Sequence, residues 1–410
     1  MEQHHFCGMA MPFSNPVLSI LDQSPVLAGR TPAQSIADTL ALARRADALG
    51  YRRYWVSEHH NSGALAGSAP EILVSAIAAT TERIRVGSAG VMLPHYSALK
   101  VAEQFRVLDA IAPGRIDLGL GRAPGSDGRT AYALNPLNAR QSEDLFPQQL
   151  RDVMGWLGDG LPVDHPFAAI RAQPEGATRP EVWMLGSSDY GAQVAAYFGL
   201  PYCFAYFFAD GRGADQAMAL YRDGFRPGVL REPRAAICVF AVAAETEEEA
   251  RRQFRSRELQ RTIRERGEFV PVPPVEEAEA FAYTEAELAR IERMHAKSAV
   301  GTGEQVWEKL RALSAELRAD EVAVVTACHD PMARIRSYEL LAAAAGLGWP
   351  VRAAAGNRAV GADAAGARIV RRAGSPAVPV AAAPREAATT RTRARSSAAA
   401  RERPPPTTGS

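Results

Sequence analysis

Two short apolar runs flank one amphipathic segment between residues 83 and 127. Residues 84–92 are apolar and β-branched with small residues interspersed, whereas residues 116–120 alternate in hydrophobicity. Apolar residues recur at helical spacing through residues 97–112, and a Pro-Gly pair then ends the helix. The order strand, helix, strand predicts a βαβ unit with two parallel strands.

The same alternation of strand and helix signals runs through most of the chain. The predicted strands are residues 17–21, 54–56, 84–92, 116–120, 182–185, 202–208, 237–243 and 322–325. A doubly wound open sheet is the main alternative. Eight successive units favour closure, so we predict an α/β fold of the (β/α)8 TIM-barrel class.

Two segments interrupt this alternation. Residues 123–142 are rich in Gly, Pro, Asn and Ser, which predicts a long loop after the fourth strand. Residues 255–298 are charged, partly helical and broken by the segment VPVPPV, which indicates an insertion after the seventh strand. No break in composition falls between residues 16 and 351, so we predict one domain there; two domains are a less economical alternative.

The two ends of the chain differ from this domain. Residues 1–15 are irregular, and their adjacent pair His4-His5 is not expected to form a metal site. Residues 352–410 are rich in Ala, Arg and Pro and carry a net charge of +8, which leaves about −7 on the other residues. This composition cannot bury enough apolar surface to fold, so we predict a disordered basic tail. A nucleic-acid-binding arm is the alternative, but the tail lacks interleaved aromatic residues.

The overall composition is that of an ordinary globular protein, with 47% hydrophobic and 23% charged residues. The four cysteines lie far apart without CxxC spacing, which argues against a disulfide framework or a zinc site and favours a reducing compartment. No apolar run reaches the roughly 18 residues of a membrane span, and no signal-peptide pattern begins the chain. These features together predict a cytoplasmic protein.

In a TIM barrel the reactive groups lie on the loops that follow the strands. Polar residues at the predicted strand ends are therefore the candidates for chemistry: Asp22, Glu58, His59, His60, Arg122, Ser187, Ser188, Tyr190 and His329. None of them has metal-ligand spacing, since adjacent residues such as His59 and His60 face opposite ways on a strand. With a pKa near neutrality His59 could be a general base, or it could be a structural hydrogen-bonding residue.

Arg122 and the Gly186-Ser187-Ser188 turn together suggest an anion site. A guanidinium binds phosphate through two parallel hydrogen bonds, and a serine-rich turn that opens a helix adds hydroxyl and N–H donors. The alternative is that Arg122 pairs with Asp117 or Asp127. On the neighbouring predicted strand, the small residues Ser88-Ala89-Gly90 would allow another backbone or a flat ligand to approach closely.

Several longer segments resemble the bacterial luciferase-like monooxygenase superfamily, in its group of flavin-dependent oxidoreductases related to the luciferase α subunit. The matching segments are ILDQSPV, YWVSEHHN, GSAGVMLPHYSALKVAEQFRVLDAIAPGRIDLGLGRAPG and LGSSDYGAQVAAYFGLPYCFA, followed by VGTGEQVWEKL and HDPMARIRSYELL. The resemblance covers about residues 16–346. The third segment is long and specific, whereas the GSS and VGT pieces alone would not be.

The resemblance implies a TIM barrel, usually a homodimer, with flavin mononucleotide (FMN) at the mouth of the barrel. The family's phosphate-binding groups match Arg122 and Ser187, with Ser188 and Tyr190 as neighbours. The family's non-prolyl cis peptide behind the flavin ring matches Ala89-Gly90, and the catalytic histidine matches His59. The sequence departs from luciferase at Gly121, which replaces a reactive cysteine, and at Gly186, which replaces an acidic residue.

The activity implied is that of a monooxygenase that uses reduced FMN and O2 to oxidise a small organic substrate. A separate NAD(P)H-dependent flavin reductase would supply the reduced FMN. Two alternatives on the same barrel are a hydride-transfer enzyme that uses the deazaflavin F420 and a flavin-binding protein without turnover. No membrane or nucleic-acid partner is expected. The substrate stays unidentified, because the segments 123–142 and 255–298 that would select it match no recognition motif.

Overall fold

The computed structural model describes residues 15–137, 144–208 and 210–349. Eight parallel strands close a barrel, because the first strand pairs with both the second and the ninth, and the seventh pairs with both the sixth and the ninth. The predicted (β/α)8 barrel is therefore confirmed. The strands are β1 Val17–Asp22, β2 Arg53–Val56, β3 Arg85–Met92, β4 Ile116–Gly121, β5 Glu181–Gly186, β6 Tyr202–Phe204, β7 Ala235–Ala243, β8 Ala299–Gly301 and β9 Glu321–Val325.

Helices surround the barrel and follow the strands in the expected order. Those described are α1 Pro32–Leu49, α2 Pro70–Ala79, α3 Ala98–Ile111, α4 Gly128–Leu134, α5 Phe146–Leu157, α6 Asp189–Phe198, α7 Ala214–Asp223, α8 Glu247–Glu265, α9 Val275–Ala280, α10 Glu285–Lys297, α11 Gly303–Leu317 and α12 Pro331–Ala344, with a 3₁₀ helix at Leu93–His95. The helix boundaries follow local chemistry. For example, Thr31 forms a capping box at the start of α1, and Gly50 ends the helix at a φ of 91°.

The alternation of side chains along each strand builds two cores. In β2, Tyr54 and Val56 point outward to the helices, whereas Trp55 points into the barrel. The barrel interior is filled by a second apolar cluster: Leu21, Trp55, Trp183, Cys203, Ala236, Cys238, Phe240, Ala323, Val325 and Ala327. The described residues thus form a barrel whose interior is packed with side chains.

The end of the barrel where the strands begin is closed by buried charges. The guanidinium of Arg53 contacts the carboxylates of Asp117, Glu181 and Glu321, each at 2.9 Å. Burial alone would raise the pKa of Glu181, but Arg53 and Arg234 outweigh it and hold that pKa at about 2. This network stabilises the floor of the barrel and leaves the other end for chemistry.

Three predicted segments differ from the structure. The sixth strand ends at Phe204 and does not reach residue 208, because the chain turns back where Phe208 N donates to Ala205 O. The predicted loop 123–142 contains α4, since Asp127 caps two backbone N–H groups and so starts a helix. The insertion begins later than predicted, because α8 continues unbroken to Glu265.

Strand β8 was not predicted. Its three residues pair with the last three residues of β7, outside the closed barrel, and such a short run has no clear period in the sequence. The boundaries of the single domain at residues 16 and 351 remain a prediction. The pair His4-His5, most of the irregular segment 1–15 and the tail 352–410 lie outside the described residues.

Candidate functional site

The second half of β3 carries two small residues, of which Ala89 is partly exposed and Gly90 is buried. The peptide bond between Ala89 and Gly90 is cis, which confirms the position expected from the resemblance, and the pairing of β3 with β4 shifts its register there. A Cβ atom on Gly90 would lie 2.7 Å from Gly119 O, so only glycine fits at this point. Ala89 stays partly exposed and packs on the interior cluster, as do Leu185 and Phe207. Together these residues offer an apolar platform.

Arg122 follows β4 and lies in a cluster of three polar side chains. Its guanidinium carbon is 3.9 Å from the ring centroid of Tyr190, and its Nη1 atom donates to Asp144 Oδ2 at 3.2 Å. The hydroxyl of Tyr190 donates to the same carboxylate oxygen at 2.6 Å. The alternative pairing of Arg122 with Asp117 or Asp127 is wrong, because Asp117 binds Arg53 and Arg85 while Asp127 caps α4.

The hydrogen bonds of this cluster shift two pKa values. Burial and the neighbouring carboxylate raise the pKa of Tyr190 to about 12, so its hydroxyl stays protonated. Burial opposes ionisation of Asp144, but the donors Tyr190, Phe146 N and Arg122 outweigh it and lower the pKa of the carboxyl. Arg122 and Asp144 are therefore a charged pair at neutral pH. Both side chains are more than two-fifths exposed, so a solvent-borne anion can compete for the arginine.

Ser187 and Ser188 follow β5 and lead into α6. Ser188 is the N-cap residue in an extended conformation, but its side chain makes no capping hydrogen bond to the first turn. The N–H groups of that turn therefore lack an acceptor from the N-cap side chain, and they form the positive end of the helix dipole. The adjacent Asp189 is engaged with Gln216 at 2.6 Å. A cation at the end of β4 and an uncapped helix start after β5 are the kinds of donor that an anion site would use.

Glu58 connects the loops that follow β2 and β3. Its fully buried carboxylate accepts from His60 Nε2 and Tyr96 OH at 2.6 Å, and from Met92 N at 2.9 Å. His60 is thus engaged in the protein framework. In the sequence Glu58 is a candidate only as a polar strand-end residue, and the structure shows that it fixes the position of two mouth loops.

His59 lies on the same loop and is mostly buried. Its Nδ1 atom is 3.1 Å from Ser57 Oγ, and its backbone N–H donates to Gly67 O. Burial lowers the pKa of His59 to about 4, with a further contribution from the positive charge of Arg264. The expectation of a pKa near neutrality is therefore wrong. At neutral pH His59 is an uncharged imidazole that can exchange hydrogen bonds but is a weak base.

We expect the ring signals of His59 to stay constant in an NMR titration from pH 8 to about pH 5.5, because the folded state resists protonation at this site. Between the unfolded pKa of about 6.5 and the folded value, only the unfolded chain takes up the proton, so this residue weakens the fold as pH falls. The variant His59→Gln lacks these ring signals and therefore assigns them. Its free energy of unfolding should fall less than that of the wild type between pH 7 and 5. A midpoint near pH 6.5 for His59 would contradict the burial argument.

Comparison with known proteins places the chain in a family. The family model described as luciferase-like monooxygenase matches residues 17–321, which is most of the chain. The chain belongs to the luciferase-like monooxygenase family. Two similar proteins come from Bacillus subtilis. The uncharacterised protein YwcH is 46% identical over 328 residues, which cover 79% of this chain and 97% of YwcH. The N-acetyl-S-alkylcysteine monooxygenase is 38% identical over 79% of this chain and 96% of that protein.

Several solved structures share the fold. The crystal structure of apo-MsnO8 is 38% identical, with a TM-score of 0.74, over 82% of this chain and 98% of MsnO8. More distant structures match at the level of the fold alone. They include the oxygenating constituent of 3,6-diketocamphane monooxygenase from Pseudomonas putida in complex with FMN, at 20% identity over 80% of this chain and 96% of that one with a TM-score of 0.59. They also include an F420-dependent secondary alcohol dehydrogenase, at 13% identity over 81% and 99% with a TM-score of 0.57. The solved structures that resemble this luciferase-like protein thus include one FMN complex and one F420-dependent enzyme.

The predicted candidates of this luciferase-like protein divide into three groups. Arg122 and Tyr190 are in contact, beside the turn that carries Ser187 and Ser188. Glu58, His59 and His60 share the loop after β2. Asp22 and His329 have structural partners, since Asp22 binds Arg334 at 2.7 Å and His329 donates to Ala28 O.

Two residues at the mouth were missed. Asp144 lies 22 residues beyond its partner Arg122, and no motif connects the two. Arg257 lies on α8, with its guanidinium over the ring of Phe240, in a segment whose composition predicts only a charged insertion. Among the described residues, no helix is long and apolar enough to cross a membrane.

Proposed function

We propose that this protein is an FMN-dependent monooxygenase that uses O2 to oxidise a small organic substrate. In the overall reaction, reduced FMN, O2 and the substrate give oxidised FMN, the oxygenated substrate and water. One oxygen atom enters the substrate, and the other leaves as water with the two electrons and two protons of reduced FMN. The observation that carries this proposal is the Arg122–Tyr190–Asp144 cluster, which lies one strand away from the flat Ala89-Gly90 edge.

The phosphate of FMN would bind at the ends of β4 and β5. Arg122 supplies a cation with its guanidinium face packed on Tyr190, which leaves the edge of the fork for an anion. Ser187, Ser188 and the uncapped first turn of α6 supply neutral donors. In this proposal the phosphate replaces Asp144 as the partner of Arg122.

The ring of the flavin would lie against Ala89 and Gly90. Their side of the mouth carries almost no side-chain volume, and Ala89, Leu185 and Phe207 are the partly exposed members of the interior cluster. When bound, the flavin supplies the two-electron redox chemistry with O2. The protein's contribution is to position the ring and to exclude water from it. His59, uncharged at neutral pH, would hydrogen-bond near the reacting atoms as the catalytic residue.

Two partners belong to the same proposal. A separate flavin reductase using NAD(P)H would supply the reduced FMN, as the family resemblance implies. A homodimer is supported by exposed aliphatic side chains on α2 and α3, namely Ile72, Val107 and Ile111, of which Ile72 is 66% exposed.

The proposal is tested by two measurements on the full chain. Absorbance and fluorescence titrations with FMN and with F420 identify the cofactor, and we expect FMN to bind more tightly. Turnover is then followed with reduced FMN and 18O2, using N-acetyl-S-alkylcysteines as first substrates because a related enzyme is named for them. We expect mass spectrometry to find one 18O atom in the product.

Other outcomes would select a different function. Binding of F420 without FMN, together with substrate oxidation in the absence of O2, would support hydride transfer on the same barrel. Tight FMN binding with no oxygen incorporation into a broad panel of substrates would support a flavin-binding protein without turnover. Failure to bind either cofactor would reject the whole proposal.

A further inference from the structure

Helix α8 presents three arginines on one face near the barrel mouth. Arg257, Arg261 and Arg264 are spaced four and three residues apart, so their side chains project from the same side of the helix. The guanidinium carbon of Arg257 is 4.2 Å from the ring centroid of Phe240, a residue of the barrel interior. The positive charge of Arg264 is close enough to His59 to lower the pKa of that imidazole. This arginine face therefore borders the space where the substrate would enter.

The three arginines differ in how their charge is balanced. Arg261 is neutralised by Glu265 at 2.8 Å. Arg264 is exposed and lies near the rings of Phe208 and Phe269, at 5.8 and 5.4 Å from their centroids. Arg257 is only 6% exposed, and its Nε atom is fully buried without a hydrogen-bond partner. Arg257 is thus the deepest of the three and the one that needs a partner.

No carboxylate among the described residues forms an ion pair with Arg257. The negative charge of Asp210 raises the pKa of Arg257, whereas the positive charges of Arg261 and Arg264 lower it. Burial, with the two neighbouring arginines, lowers the pKa of Arg257 to about 9, so the group is still a cation at neutral pH. A buried cation without a partner is costly in a folded protein. Its presence beside the mouth therefore points to a ligand that completes the pair.

We propose that Arg257 binds a carboxylate group of the organic substrate. One face of the guanidinium rests on Phe240, which leaves the edge of the fork free for two parallel hydrogen bonds to a planar anion. The ring centroids of Phe207 and Phe240 are 5.3 Å apart, and Phe207 provides an apolar wall for the rest of the substrate. Arg264 at the rim attracts the anion from solvent. This inference rests on the proposed function and adds to it the substrate class, an organic acid with an apolar portion.

The test compares two probes of equal length, octanoate and octanamide, by calorimetric titration of the full chain with and without FMN. We expect the wild type to bind octanoate at least about tenfold more tightly than octanamide, because only the carboxylate pairs with the buried cation. In Arg257→Met the two probes should bind within about twofold of each other. Arg311→Met, which removes an exposed arginine paired with Glu308 at 3.0 Å, is the matched control and should behave as the wild type.

Two further readouts separate ligand binding from a structural role. Arg257→Met should melt no lower than the wild type, since it removes an uncompensated buried charge, whereas a structural arginine would lower the melting temperature. Arg257→Lys keeps the charge without the fork and should retain a reduced preference for octanoate. Equal binding of the two probes by the wild type, or an unchanged preference in Arg257→Met, would overturn the inference. The titration without FMN tests carboxylate binding by Arg257 even if the protein does not bind FMN.

Discussion

Replacing Arg122 by alanine is expected to weaken the binding of FMN about 30-fold, a loss of about 2 kcal/mol. The substitution removes the cation at the end of β4 that would hold the phosphate, while the apolar platform at Ala89 and Gly90 is unchanged. The side chain is 48% exposed, so solvent screens part of the interaction and keeps the effect below that of a buried pair. Fluorescence titration with FMN measures the change.

Riboflavin, which lacks the phosphate, is the control ligand for this substitution. Its affinity should be the same for the wild type and for Arg122→Ala, because nothing else at the ring position has changed. Asp144→Asn should act in the opposite direction and strengthen FMN binding, since it removes the carboxylate that competes with the phosphate for Arg122. An equal loss of riboflavin and FMN affinity in Arg122→Ala would show that Arg122 holds the site together and does not bind phosphate.

The position of the candidate site could be predicted because parallel strands bring their carboxyl ends to one edge. Arg122, Ser187 and His59 are each among the first polar residues after a buried strand, so the strand pattern alone selects them. The strand pattern also draws attention to Ala89 and Gly90, because small residues are unusual within a predicted strand. Their cis peptide bond was expected only from the family resemblance, since no local pattern encodes it.

The partners of these residues could not be predicted. Asp144 approaches Arg122 from a different loop, and Arg257 reaches the mouth from the middle of a long helix. Both contacts depend on how the chain folds over the barrel. The pKa of His59 was misjudged for a related reason, because its value is set by burial and by the distant Arg264, neither of which adjacent residues reveal.

The buried charges at the start of the barrel strands also follow a pattern in the sequence. The candidates chosen at the strand ends do not contain these residues. Arg53, Glu181 and Glu321 are each the first residue of a buried strand, and Asp117 is the second. Charged residues at the starts of several inner strands can only meet at the same end of a closed barrel, so they must pair there. The strand pattern therefore distinguishes a charged structural end of the barrel from its functional end.

Arg53→Met should accordingly be the most destabilising single substitution considered, with a loss of about 3–5 kcal/mol in the free energy of unfolding. Methionine has a similar length but leaves the buried Asp117 and Glu321, and the partly buried Glu181, without their shared cation. Arg311→Met again serves as a control, because its exposed pair with Glu308 should contribute less than about 1 kcal/mol. Thermal unfolding of the three proteins at pH 7 measures both differences.

The pH dependence of the same variant tests the cause. In the wild type, the depressed pKa of Glu181 gives stability that is present above its unfolded value of about 4.3 and is lost as pH falls towards 2. Without Arg53 that pKa rises, so the folded variant takes up protons at higher pH than the wild type. The gap in melting temperature should then shrink between pH 7 and about pH 4. A gap that stays constant over this range would attribute the loss to the packing of Arg53 on Trp183, whose ring centroid lies 4.7 Å away, and would reject the uncompensated carboxylates as its origin.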